Sequence, residues 1–131
     1  MSNKRLTLTK KTEKCSCKGY NLDKLLQPNI LTLLAKRDMH GYVVIQELEK
    51  LDLFNGERVD NTGIYRTLKH LEEKGLVQSQ WDVEDVGAAK KIYQINDAGK
   101  KCLANWIQSL EEYKAIIDTV IDSAMRALSH V

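Results

Sequence analysis

Thr62, Arg66 and Lys69 recur at steps of four and three residues, so a helix carrying them would set all three on one side, with His70 and Glu73 beside them. The Arg66 guanidinium can grip a guanine edge through two hydrogen bonds, and the Lys69 ammonium can reach a phosphate. The Thr62 hydroxyl can donate at the start of such a helix, and Tyr65, at the border of the face, can send its hydroxyl to a phosphate. Lys90 and Lys91 follow on a later segment, where at least one of them would lie beside an adjacent groove or its phosphates. Any surface helix carries charges of this kind, so the pattern gains meaning only from the elements that position it.

Those elements can be read in order. Leu22, Leu25, Leu26, Ile30, Leu33 and Leu34 have helical spacing, and Pro28 places the start of the regular helix at or just before itself. That helix should end near Arg37, with Asp38 capping the next. A second helix from Met39 or His40 to about Leu51 would bury Tyr42, Val43, Ile45 or Gln46 at the edge, Leu48 and Leu51. Asn55-Gly56 marks a loop, Asp60 or Asn61 caps a third helix, Ile64, Leu68 and Leu71 form its buried stripe, and Gly75 closes it. The period then changes to two. Val77, Ser79, Trp81 and Val83 alternate with polar neighbours, Asp85-Val86-Gly87 turns the chain, and Lys91, Tyr93 and Ile95 alternate on the return. Asn96 caps a last helix that can reach Leu128. The predicted fold is mainly α with a small β-hairpin. It is a winged helix-turn-helix at 21–96, followed by a long C-terminal dimerisation helix at 97–131, and such a fold lays its third helix in the groove of double-stranded DNA.

The chain as a whole is consistent with that. It has 131 residues, 43% of them apolar, enough for one modest core. Net charge is only +2, but residues 1–18 carry six lysines and arginines against Glu13, a net of +5, which leaves −3 on the rest. Residues 1–20 are therefore expected to be a flexible basic leader that adds sequence-independent attraction to phosphates. No apolar run approaches the length of a membrane span, so a cytoplasmic protein without a membrane partner is expected.

Leu103, Ile107, Leu110, Ile117, Ile121 and Leu128 mark an apolar stripe along the last helix, widened by Tyr113, Ile116 and Val120. Such a stripe needs cover, from the first helix of the same chain or from the matching helix of a homodimer. Trp81 and Trp106 are either core residues or the lining of a ligand pocket.

Met39-His40-Gly41-Tyr42, Gly63-Ile64-Tyr65-Arg66-Thr67-Leu68 with Leu71-Glu72 and Gly75-Leu76-Val77, and Lys91-Ile92-Tyr93-Gln94-Ile95 followed by Ala98-Gly99 resemble the PadR family of transcriptional regulators. The resemblance covers about residues 24–110. It implies a dimeric winged-helix repressor that reads a pseudo-palindromic operator, with DNA contacts at Thr62, Tyr65, Arg66 and the wing lysines. It also implies a response to a small ligand such as an aromatic compound, or to a metal. The chain departs from the family's common pattern in two places. Arg66 stands where many members have proline, and Ala88-Ala89-Lys90-Lys91 replaces the usual Gly/Pro-Arg-Lys of the wing.

Cys15-Ser16-Cys17, flanked by Lys14 and Lys18, offers two thiols that can bind a soft metal or form a redox pair. No third ligand is near in sequence, and two inert thiols are the plainer reading; Cys102 is expected to pack. A thiol or metal sensor acting through Cys15 and Cys17 is thus one alternative, and a winged-helix module that binds protein instead of DNA is another. No cofactor is expected. Nor is an enzyme, for the chain has no phosphate-binding glycine loop and no recognisable nucleophile–base arrangement.

Overall fold

A computed structural model describes residues 25–51, 60–83 and 90–130. The leader with Cys15 and Cys17, the Asn55-Gly56 loop and the Asp85-Val86-Gly87 turn lie outside the described residues. Among the described residues there are four helices and a three-stranded antiparallel sheet: α1 (Leu26–Lys36), β1 (Met39–His40), α2 (Gly41–Lys50), α3 (Asn61–Glu73), β2 (Val77–Asp82), β3 (Lys90–Ile95) and α4 (Asp97–Ser129), with sheet order β1-β3-β2.

Helix α1 supplies the centre of the core through Ile30, Leu31, Leu33 and Leu34. Pro28 sits in its first turn, where the missing N–H has no intrahelical partner to lose. Ile64, Leu68 and Leu71 of α3 are completely buried against it, each contributing about 2 kcal/mol. Asp60 caps α3 by accepting from the Thr62 N–H at 3.1 Å. At the other end the Gly75 N–H donates to the Glu72 carbonyl and the Leu76 N–H to the Leu71 carbonyl. That double closure requires a left-handed residue, and Gly75 has φ +76°. A β-carbon there would meet nothing within 4 Å, so Gly75→Ala carries backbone strain alone. A loss of about 1 kcal/mol in urea unfolding is expected.

Two parts of the fold differ from the sequence pattern. Asp38 does not cap α2: Met39 and His40 form a strand paired with Tyr93 and Ile92, His40 takes the N-cap position, and the Asp38 carboxylate accepts from Gln94 Nε2 at 3.2 Å. A two-residue strand has no period to reveal it. The core face of α2 is Gly41, Val44, Ile45 and Leu48, whereas Tyr42 and Leu51 are exposed and Val43 is half-buried. Apolar type pulled the expected stripe one position aside, because Gly41 carries the contact and has no side chain to show it.

Strands β2 and β3 pair over six residues, from Val77 opposite Ile95 to Asp82 opposite Lys90. Val77, Tyr93 and Ile95 are buried, but Trp81 and Val83, in phase with Val77, are 59% and 80% exposed. The strand pair extends beyond the part of the sheet that the helices cover. Trp81 is therefore neither core nor the wall of an enclosed pocket.

The Asn96 side chain accepts from the Gly99 N–H at 2.8 Å and donates to the Gly75 carbonyl at 2.8 Å, tying the end of α3 to the start of α4. Leu103, Cys102 and Trp106 pack against the core, and Trp106 Nε1 donates to Gln27 Oε1 at 3.3 Å. Beyond Leu110 the situation changes: every residue over 111–130 is exposed. Among the described residues, no helix is long and apolar enough to cross a membrane.

Candidate nucleic-acid interface

Helix α3 turns its buried stripe inward, which leaves Thr62, Arg66 and Lys69 on the opposite, exposed face with His70 and Glu73. The Asp60 cap fixes the first turn, and Thr67 Oγ1 donates to the Gly63 carbonyl at 2.8 Å on the flank. Glu72 is drawn away from that face, accepting from Ser79 Oγ of β2 at 2.7 Å. Along this face α3 thus presents a hydroxyl, a guanidinium and an ammonium.

Tyr65 occupies the edge of the face nearest β3. Its ring lies on Gly41: a β-carbon built there would stand 2.6 Å from Tyr65 Cε1, so a larger residue at this position would push the ring aside. Tyr65, Lys90 and Lys91 line one cleft, together with His40, Gly41, Tyr42 and Tyr93. Burial first, then the Glu72 carboxylate and Tyr65, push the Tyr93 phenol above its ordinary value.

The wing lysines are held by aromatic rings. Lys90 Nζ lies 4.9 Å from the centre of the Tyr42 ring, and Lys91 Nζ 5.4 Å from that of Trp81. Tyr42 stacks on His40 with centroids 5.5 Å apart, and His40 Nε2 is 2.9 Å from Asp82 Oδ2. This last contact links the entry to α2 with the outer end of β2. His40, Tyr42 and Trp81 were not among the site residues expected from sequence. By type Tyr42 belongs to the core stripe, and the strand β1 that delivers His40 has no pattern of its own.

The six residues expected to touch DNA therefore share one side of the fold, with Thr62, Arg66 and Lys69 on the α3 face and Tyr65, Lys90 and Lys91 at the cleft beside it. Among the described residues, no group of three or more His, Cys, Asp or Glu side chains could hold a metal ion.

A helix pair, α2 and α3, backed by α1 and flanked by a two-stranded wing, defines a winged helix-turn-helix protein. Residues 30–105 match the transcriptional regulator PadR-like family, and the chain belongs to that family. It is similar to the transcriptional regulator Rv3488 of Mycobacterium tuberculosis, 36% identical over 84 residues that make up 64% of this chain and 74% of that protein. It is also similar to the negative transcriptional regulator PadR of Bacillus subtilis, 30% identical over 103 residues, covering 78% of this chain and 54% of that one. The structure of Bacillus subtilis PadR in complex with operator DNA superposes with a TM-score of 0.56 at 28% identity, over 63% of this chain and 46% of that chain. The chain thus spans about half the length of the Bacillus protein.

Proposed function

We propose that this protein is a homodimeric, sequence-specific DNA-binding repressor that reads a two-fold symmetric operator. The observation that carries the reading is the exposed α3 face of Thr62, Arg66 and Lys69 standing beside a wing whose lysines are held on aromatic rings. Arg66 reads a guanine edge, Lys69 and the wing lysines bind phosphates, and Thr62 and Tyr65 donate from their hydroxyls. The Bacillus relative, solved on operator DNA and named a negative regulator, supports both the DNA and the repressor parts of this reading.

The second subunit is proposed from α4. Ile107, Ile117, Ile121 and Leu128 are 48–75% exposed, as are Tyr113, Ile116, Val120 and Met125 on or beside the same stripe. Of the six residues expected at a dimer contact, Leu103 is instead packed against the chain's own core and Leu110 is half-buried. The dimer contact is therefore assigned to the far two-thirds of the helix, where an apolar face this long is stable in water only when covered. Response to a small aromatic effector belongs to the same proposal on the family resemblance alone, since Trp81 lies open and Trp106 is bonded to Gln27.

Selection of bound duplexes from random-sequence DNA tests the reading. A symmetric site should emerge, and Arg66→Ala should relax one base preference in each half at a cost of about 1–3 kcal/mol. If no sequence is enriched, the protein is not a reader of operators.

A further inference from the structure

The cleft between α2, α3 and β3 has a volume of about 220 Å³ and combines two kinds of group that bind oxyanions. Tyr42 and Tyr65 are 41% and 45% exposed, so both phenols are accessible to a ligand. Lys90 and Lys91 stand on the third side. No carboxylate lines the cleft among the described residues; Asp82 contacts His40, one of the lining residues, at 2.9 Å.

The groups are also held in place before any ligand arrives. Tyr65 rests on Gly41, Tyr42 is stacked on His40, and the Lys90 ammonium is kept over the Tyr42 ring. These contacts restrict the side chains before binding, which lowers the entropy lost on it. The cleft lies where the first helix of a helix-turn-helix, the reading helix and the wing converge, and there a duplex backbone crosses from one groove to the next.

We infer that this cleft seats a single backbone phosphate of the bound duplex, with Tyr42 and Tyr65 donating from their hydroxyls and Lys90 supplying the positive charge. Tyr42 is the new contact: its place on α2 suggested a core residue, and the structure puts it at the surface. The inference rests on the DNA-binding reading above. Because a phosphate carries no sequence information, the seat sets affinity and register without altering base preference.

The test uses the full chain and the duplex it selects, prepared with one neutral methylphosphonate at a time in place of each phosphate. At one phosphate in each copy of the site, neutralisation should weaken the wild-type chain roughly tenfold. At that position the Tyr42→Phe, Lys90→Gln variant, already roughly tenfold weaker on intact DNA, should lose little more. Elsewhere the two proteins should lose equally. The double variant should also weaken an unrelated duplex and show a shallower salt dependence. If it binds as tightly as wild type while Arg66→Ala still relaxes selectivity, the phosphate seat is wrong and the operator reading stands. Equal losses at every position would likewise overturn the seat. Absence of binding by the wild-type chain to any duplex would remove both.

Discussion

The Ile117→Glu, Ile121→Glu variant is expected to sediment as a monomer under conditions where the unaltered chain sediments as a dimer. Both side chains are about half exposed in the single chain, at 55% and 48%, and lie one turn apart on the apolar stripe of α4. Glutamate is a good helix former, so the substitution leaves the helix intact and acts on whatever covers that face. In a symmetric dimer each change is made twice, placing four carboxylates in an apolar seam at several kcal/mol apiece, more than a typical dimer can absorb. Operator affinity should fall by roughly 10²–10⁴, the advantage that comes from joining two reading heads. Thr119→Glu with Arg126→Glu, on the opposite side of the same helix, should leave the dimer intact. A dimer that survives the isoleucine changes would place the contact elsewhere and refute the assignment to this face.

Gly99→Ala is expected to destabilise the fold by about 3 kcal/mol, although glycine to alanine within a helix ordinarily stabilises by up to about 1 kcal/mol. The sign reverses because there is no room. A β-carbon at Gly99 would stand 2.1 Å from the Leu76 carbonyl oxygen and 2.6 Å from Ile95 Cγ1. The oxygen belongs to backbone that already accepts from the Asn96 N–H at 3.3 Å, directly beside the Schellman closure of α3. Relief requires moving α4 off the sheet, which would also loosen Leu103 and Trp106. In urea the midpoint should drop with little change in slope. Ala98→Gly, one residue earlier and exposed, should cost no more than about 1 kcal/mol. If Gly99→Ala were no worse than that, the close approach of α4 to the end of α3 would be disproved.

Much of this was legible in the sequence, for reasons that differ by element. Helix α3 declared itself because cap, apolar stripe and closing glycine all agreed, and each was found in place. The Asn96 cap and the length of α4 were legible for the same reason. Alternation in β2 and β3 gave the faces correctly but not their cover: it cannot say where the core ends, so Trp81 was assigned to shelter it does not have. Strand β1 was illegible because two residues have no period, and with it went His40 and its contact with Asp82. The phase of α2 is hidden in the sequence for a related reason. Its tightest contact is made by a residue with no side chain, and the aromatic next to it suggested burial by type. For the candidate interface, periodicity could place Thr62, Arg66 and Lys69 together, whereas the meeting of Tyr42 with Lys90 across 48 positions needed the fold.

Helix α4 runs unbroken from its Asn96 cap through 33 residues, anchored near its start and open along the remainder. One consequence concerns angle. An α-helix advances about 100° per residue, so the direction in which the far stripe points is set, relative to α3, by the number of residues between them. Lengthening that stretch by one residue swings the stripe through more than a quarter-circle, while seven residues return it almost to its original bearing. Residue count on α4 thus acts as the dial that orients any partner against the reading face, without touching a single residue of either surface.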